Sequence, residues 1–320
     1  MKKTEIKKIN PDDPDVKAAL TAEKRLFDHY NLDVSIHHIA IKEIGIRVRV
    51  METGTGPALL MVPGGNGIAA ELIPLISYLK GHRIIAVNLP GGGLSDAVDF
   101  RKTRYQNLAE YVLSKTLDYF NLKNITIVAN SLGDLWAMWL AMSKPDYVNK
   151  MILTGCPAFI MGTSAPFPMR LLSAPVLNRL LFPLSQPGSV NKMRKILHML
   201  LHSPLYAIER LPDIFVETIF RMFHLPTYRL GALSFLENVL TISGSKKEYQ
   251  LWPDKLQKIC QKTLFIWGTH DPFGSADIGR NILNFMPDAR LEIIDAGHVP
   301  YIDQPEKCAE IIRKFLKATH

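Results

Sequence analysis

A chain of 320 residues, 47% of them hydrophobic and with a mean hydropathy of +0.05, has enough apolar material for a large core, so disorder beyond the ends is excluded. The net charge of +8 would suit an anionic partner, but Lys and Arg are spread along the whole length, clustering only at Lys2, Lys3, Lys7 and Lys8 and at Lys192, Arg194 and Lys195. With no nucleic-acid fold signature, no nucleic-acid partner is expected. Cys156, Cys260 and Cys308 are odd in number and widely spaced, which argues against a disulfide framework or a cysteine metal site and fits a reducing compartment. No apolar leader follows the first lysines, and no run reaches the roughly 18 apolar residues of a membrane helix. The expectation is a cytoplasmic protein without stable membrane insertion.

The spacing from Pro14 to about Tyr30 predicts a helix with a partial apolar face of Val16, Leu20, Leu26 and Phe27, packed on the outside. Val34 to Ile41 and Ile44 to Met51 alternate apolar with polar residues, so they predict an antiparallel hairpin at a sheet edge, linked through Lys42-Glu43. From Ala58 the pattern changes to continuous apolar runs, ALLMV and RIIAV, each followed by a glycine-rich turn, with a helix expected over 68–79 between them. Such runs fit parallel strands buried on both faces. The alternation continues through a helix at 105–120, strands at 125–128 and 150–154, and the helix after Ser131. These elements predict a mostly parallel central sheet flanked by helices.

At Pro157 the rhythm breaks. Residues 157–251 show no clear strand run and are rich in Leu, Met, Phe and Pro, which predicts an inserted helical cap. Strand and helix signals then resume at 262–267, 276–286, 290–294 and 305–316. Residues 1–156 and 252–320 are therefore expected to form an α/β core, with 1–32 as an N-terminal helical extension.

The stretch Ile125 to Ala141, ITIVANSLGDLWAMWLA, reads as strand, sharp corner and helix. Ser131 stands at the corner, two residues from both Ala129 and Gly133, where small side chains let a tight turn push the hydroxyl outward. The N–H of Leu132, at the new helix's N-terminus, favours developing negative charge. Asp134 reads as a first-turn carboxylate stabilised by the helix dipole. A second glycine pattern, Gly65-Asn66-Gly67-Ile68-Ala69-Ala70, matches a dinucleotide fingerprint, but Asn88-Leu89-Pro90 stands where an acid should hold the ribose. No nucleotide cofactor is expected.

Asp271 and His298 each follow a parallel strand, on the rim that carries Ser131. A serine needs a base, and an imidazole acts best when a carboxylate holds its tautomer. Asp295 and Asp303 are the alternatives to Asp271 as that carboxylate.

The motifs MVPGGNG, NLPGGGLSD, ANSLGD, WGTHD and AGHVPYIDQPE, in this order, resemble those of the α/β-hydrolase superfamily, and within it the capped esterases and C–C bond hydrolases. The resemblance implies the α/β-hydrolase fold, Ser131 as nucleophile, His298 as base, Asp271 as the triad acid, and the N–H groups of Gly65 and Leu132 as oxyanion donors. It implies no cofactor and no metal. Asn66, Asn130, Cys156 and Val299 are candidate pocket residues. This chain departs from the family pattern at Pro63 and Gly92, each in place of a common His, at Ala129 in place of the first Gly of G-x-S-x-G, and at Asp134 in place of a frequent second Gly. A Ser nucleophile disfavours dehalogenase or epoxide-hydrolase chemistry. The expected function is a carboxylesterase acting on hydrophobic small-molecule esters in a methionine-rich pocket. The alternatives are a ligand receptor with little turnover and a C–C bond hydrolase or lyase.

Overall fold

A computed structural model describes residues 5–201, 203 and 205–318; Lys2 and Lys3 lie outside them. Among the described residues eight strands form the central sheet: β1 (Val34–Ile41), β2 (Ile46–Thr53), β3 (Ala58–Val62), β4 (Arg83–Val87), β5 (Ile125–Asn130), β6 (Val148–Thr154), β7 (Lys262–Gly268) and β8 (Ala289–Ile294). Their spatial order is β8-β7-β6-β5-β3-β4-β2-β1. All pairings from β8 through β4 are parallel, and β2 runs antiparallel to both β4 and β1.

The edge hairpin lies where alternation placed it, but β2 starts at Ile46 rather than Ile44. The N–H groups of Ile44 and Gly45 both turn back to the Ile41 carbonyl, and Gly45 takes φ +80°. The helix expected over 68–79 shrinks to a 3-10 turn at Ala69–Leu72 and a single turn at Ile73–Ile76. Pro74, with no N–H to give and a ring that crowds the preceding turn, prevents one continuous helix. A short antiparallel pair, Ile6–Lys7 with Ala97–Val98, lies outside anything the pattern suggested.

Apolar cores cover both faces of the sheet. On one face the helix Leu132–Ser143 is buried all round from Leu132 to Ala141, as its uniformly apolar sequence requires. Its Trp136 and Trp139 meet the ring of Tyr105 edge-on. On the other face the helix Pro305–Lys317 buries Cys308, Ala309, Ile311, Ile312 and Phe315, one stripe at helical spacing. All three cysteines are free thiols.

Between adjacent parallel strands β6 and β7 the described residues form seven α-helices: Phe167–Leu171, Pro175–Ser185, Val190–Leu201, Leu205–Arg210, Asp213–Phe223, Pro226–Val239 and the single turn Pro253–Leu256. A two-residue hairpin, Leu240–Thr241 with Gly244–Ser245, interrupts this otherwise helical stretch. The N-terminal helix Pro14–His29 packs on Asp213–Phe223 and is tied to β2 by the buried pair of Glu23 with Arg49, whose Nη1 and Nη2 each donate to one carboxylate oxygen. Leu26 and Phe27 thus share a core with Phe215, Val216 and Ile219 of the insertion. Among the described residues no helix is long and apolar enough to cross a membrane.

Candidate active site

β5 ends at Asn130, and the next helix begins at Leu132, so Ser131 must make the whole turn. It does so at φ +53°, ψ −105°, outside the usual basins for a non-glycine residue, a conformation that costs on the order of 1–3 kcal/mol. The reason for glycine at 133 differs from the one the corner suggests. A Cβ there would lie 2.4 Å from the Val62 carbonyl oxygen and 2.7 Å from that of Pro63, so the crowding comes from the end of β3 rather than from Ala129. Ala129 is buried and its methyl is accommodated.

Asp271 and His298 meet as their positions on the rim suggest. His298 Nδ1 lies 2.9 Å from both carboxylate oxygens of Asp271. Two backbone donors hold that carboxylate: Cys156 N–H gives to Oδ2 at 2.7 Å and Phe273 N–H to Oδ1 at 2.9 Å. The Phe273 ring stacks on the imidazole at 4.0 Å between centroids, fixing the ring plane. The His298 N–H donates to the Leu201 carbonyl at 2.8 Å, so the helix Val190–Leu201 touches the loop that carries His298. The other two acids have different partners: Asp295 pairs with exposed His270, and Asp303 accepts the Gly297 N–H. With Nδ1 engaged, Nε2 is the free ring nitrogen.

Ser131 and His298 line the same cavity, of about 250 Å³. Among the described residues no hydrogen bond joins Ser131 Oγ to the imidazole. Contacts of this kind tighten when substrate binds. Gly64 and Gly65, after β3, also line the cavity, and a Cβ on Gly64 would lie 3.2 Å from Ser131 Cβ. Gly65 takes φ +53°. No protein acceptor among the described residues engages its N–H or that of Leu132, which leaves both donors available to a ligand oxygen.

Of the candidate pocket residues, Asn66, Asn130 and Val299 line the cavity, whereas Cys156 does not. The Cys156 thiol is buried, which pushes its pKa well up, with the Asp271 charge adding to the effect; its backbone N–H is the part that serves the site. Asn130 ties three segments together, since its Nδ2 donates to the carbonyls of Thr154 at 2.6 Å and His298 at 3.3 Å. The methionine-rich wall is also corrected. Met169 is the one methionine among the described lining residues; Met193 and Met222 are buried in the insertion's core, and Met199 is exposed. Phe159, Phe215, Phe223, Phe235 and Leu236 supply much of the apolar surface instead.

Sequence reasoning passed over Glu71, Phe273, Tyr228 and Tyr301, all of which line the cavity. Glu71 left a signal: it is the single charge in the apolar stretch IAAELIPLI. The rest only the tertiary contacts reveal.

Asp134 requires a second correction. It is fully buried, and neither carboxyl oxygen has a hydrogen-bond partner. Burial holds its pKa well above the ordinary carboxylate range, against the smaller opposing influence of the Ser131 and Thr154 backbone N–H groups. Burial thus favours the neutral acid, a form that neither gains from the helix dipole nor sets a charge against an oxyanion. Its pKa is raised in the fold, so its contribution to stability is fully present below the unfolded value near 4 and is lost as pH rises through the folded value. Asp134→Asn removes that loss. Urea titrations should show wild type falling behind the variant by about 1.4 kcal/mol per pH unit above pH 4 until the folded-state value is reached. A stability difference independent of pH would refute a neutral Asp134.

The dinucleotide-like glycines serve another purpose. Asn88 Oδ1 accepts the Ala69 N–H at 2.7 Å, at the helix start where a phosphate would have to sit. Among the described residues no group of three His, Cys, Asp or Glu could hold a metal ion.

A family model described as the alpha/beta hydrolase fold matches residues 57–179. A 2-hydroxy-6-oxononadienedioate/2-hydroxy-6-oxononatrienedioate hydrolase of Burkholderia vietnamiensis is 27% identical over 281 residues, covering 85% of this chain and 91% of that protein. An enzyme of the same description from Pseudomonas putida is 25% identical, with 89% and 93% covered. Among solved structures, a carboxylesterase from Bacillus subtilis superposes with a TM-score of 0.73 at 13% identity, covering 96% of this chain and all of that one. A 2-hydroxy-6-oxo-6-phenylhexa-2,4-dienoate hydrolase from Rhodococcus superposes at 0.67 with 19% identity, covering 90% of this chain and all of that one. These structural likenesses establish the α/β-hydrolase fold, which the family model matches over the segment that holds the Ser131 corner.

Proposed function

We propose that this protein is a serine hydrolase that acts as a carboxylesterase on hydrophobic, small esters, with residues 157–251 serving as the cap over its site. Ser131 Oγ attacks the ester carbonyl while His298 Nε2 takes its proton, and Asp271 stabilises the resulting imidazolium. The carbonyl oxygen, now an oxyanion, accepts the N–H groups of Gly65 and Leu132; one such donor is worth about 3 kcal/mol of transition-state stabilisation. His298 returns the proton to the departing alcohol, leaving an acyl group on Ser131. Water then attacks that acyl-enzyme with His298 again as base, which releases the acid and restores the serine.

The observation that carries the ester reading over the dienedioate chemistry named for the relatives is the charge of the cavity. Among its described lining residues there is neither Lys nor Arg, while Glu71 adds a carboxyl group. A dicarboxylate would bury its charges there without a counter-ion, at a cost of several kcal/mol. A neutral ester brings no such charge.

The test is fluorophosphonate labelling of wild type and Ser131→Ala, followed by turnover on neutral esters of increasing acyl length. Wild type alone should label, and kcat/KM should rise from acetate toward medium chains. Absence of label on wild type would defeat the hydrolase reading. Labelling without turnover on any ester would favour a receptor, and a wide preference for acetate would defeat the hydrophobic pocket.

A further inference from the structure

Among its described lining residues the cavity contains one carboxyl group, and ester hydrolysis has no use for it. Glu71 lies in the 3-10 turn after the glycine loop, and a Cβ placed on Gly67 would sit 2.9 Å from its Oε2. Glu71 is half-buried and lines the cavity. Among the described residues no cation pairs with it. Tyr228 and Tyr301 stand beside it, and each phenol is pushed up by burial first and by the Glu71 charge second. Phe223 stacks on Tyr228 with centroids 4.3 Å apart, so the neighbourhood is aromatic.

The other elements packed on this turn bring it no counter-charge. The helix Asp213–Phe223 contributes Phe215 and Ile219 to the cavity, and its Glu217 pairs with Arg25 and Arg221 away from the cavity. On β3 and β4 the residues are apolar except Arg83, which pairs with Glu52. Among the described residues the Ile68 N–H is the donor that favours the ionised form, and burial outweighs it, so the carboxyl is pushed up to about 8.

We propose that Glu71 is a specificity-determining residue that receives a basic amine carried by the substrate, pairing its carboxylate with the ammonium ion beside Tyr228 and Tyr301. This rests on reading the cavity as an ester-hydrolase site. A glutamine would offer hydrogen bonds without an ionisable group. What a carboxyl adds is the ability to surrender a proton and hold a cation, and aromatic faces favour the same ligand. The substrate class is then an amino ester with an apolar body, its amine remote from the scissile carbonyl.

The binding reaction fixes the pH dependence. Below about pH 8 the carboxyl is protonated, so an ammonium ion binds only as Glu71 releases its proton to solvent. Hexylamine and 1-hexanol, titrated calorimetrically into wild type and Glu71→Gln, test this without needing turnover. Hexylamine should bind wild type about 50-fold more tightly at pH 8 than at pH 6, with proton release visible as heat that varies with the buffer, whereas hexanol binding should stay constant. In Glu71→Gln both the pH dependence and the preference for the amine should vanish. The pH series on wild type decides the matter even if the variant folds poorly. Equal binding of amine and alcohol, or amine binding unaffected by pH, would overturn the proposal. If esters are hydrolysed while the amine fails to bind, only the role of Glu71 falls; if the amine binds while no ester is hydrolysed, the hydrolase reading falls and Glu71 remains a cation site.

Discussion

Replacing Ser131 with alanine should lower kcat for ester hydrolysis by about 10⁵- to 10⁶-fold, the loss expected when the nucleophile of a serine triad is removed. The size follows from division of labour. In the proposed mechanism Ser131 forms the covalent bond, His298 moves its proton, and the two backbone donors hold the oxyanion, so removing the serine leaves the last of these with nothing to accelerate except direct attack by water. The strained φ of Ser131 remains with alanine, so stability should change little. His298→Ala added to Ser131→Ala should cost little more, because groups that act as a unit are not additive. Steady-state kinetics with active-site titration gives the measurement. A loss under about a hundredfold would move the nucleophile elsewhere.

Asp271→Asn should lower kcat by about 10⁴-fold. The carboxylate accepts from His298 Nδ1 and from the N–H groups of Cys156 and Phe273, so both oxygens face donors. An amide has one oxygen to offer. Its NH₂ must either confront a backbone N–H or donate to Nδ1, which would put the imidazole's proton on Nε2, the nitrogen that has to receive the serine's proton. The amide also leaves a buried donor unsatisfied, at about 1–3 kcal/mol, so thermal unfolding should move down together with turnover. Asp295→Asn is the control: it faces exposed His270 and should leave kcat within about twofold. Loss of activity in Asp295→Asn but not in Asp271→Asn would reassign the triad acid.

Much of the fold is legible because burial on two faces leaves its mark on composition. β3, β4 and β5 are continuous apolar runs, and the helix after Ser131 is apolar all round, so both could be located from residues alone. The edge hairpin was legible for the opposite reason, since one solvated face imposes alternation on most of it. Boundaries were less legible where a single residue's backbone decides them, as Gly45 and Pro74 do. In the insertion, apolar residues at helical spacing marked helices but could not say which faces meet the cavity. Helical spacing marks methionines as candidate walls, whereas Met193 and Met222 are spent on packing.

For the candidate site, the sequence by itself determined which residue types come together and in what order: a corner at Ser131, and Asp271 and His298 after later strands. Local spacing suffices there because strand, turn and helix are short-range structures, and parallel strands bring their C-terminal ends to one rim. Only the tertiary structure decided that Asp134 is buried with no partner for its carboxyl, that Cys156 supports Asp271 through its N–H and stays out of the cavity, and that Glu71 faces a space with no cation among the described lining residues. Each of these depends on solvent access and on neighbours distant in the chain. Charge state follows from what surrounds a group, and surroundings exist only once the chain has folded.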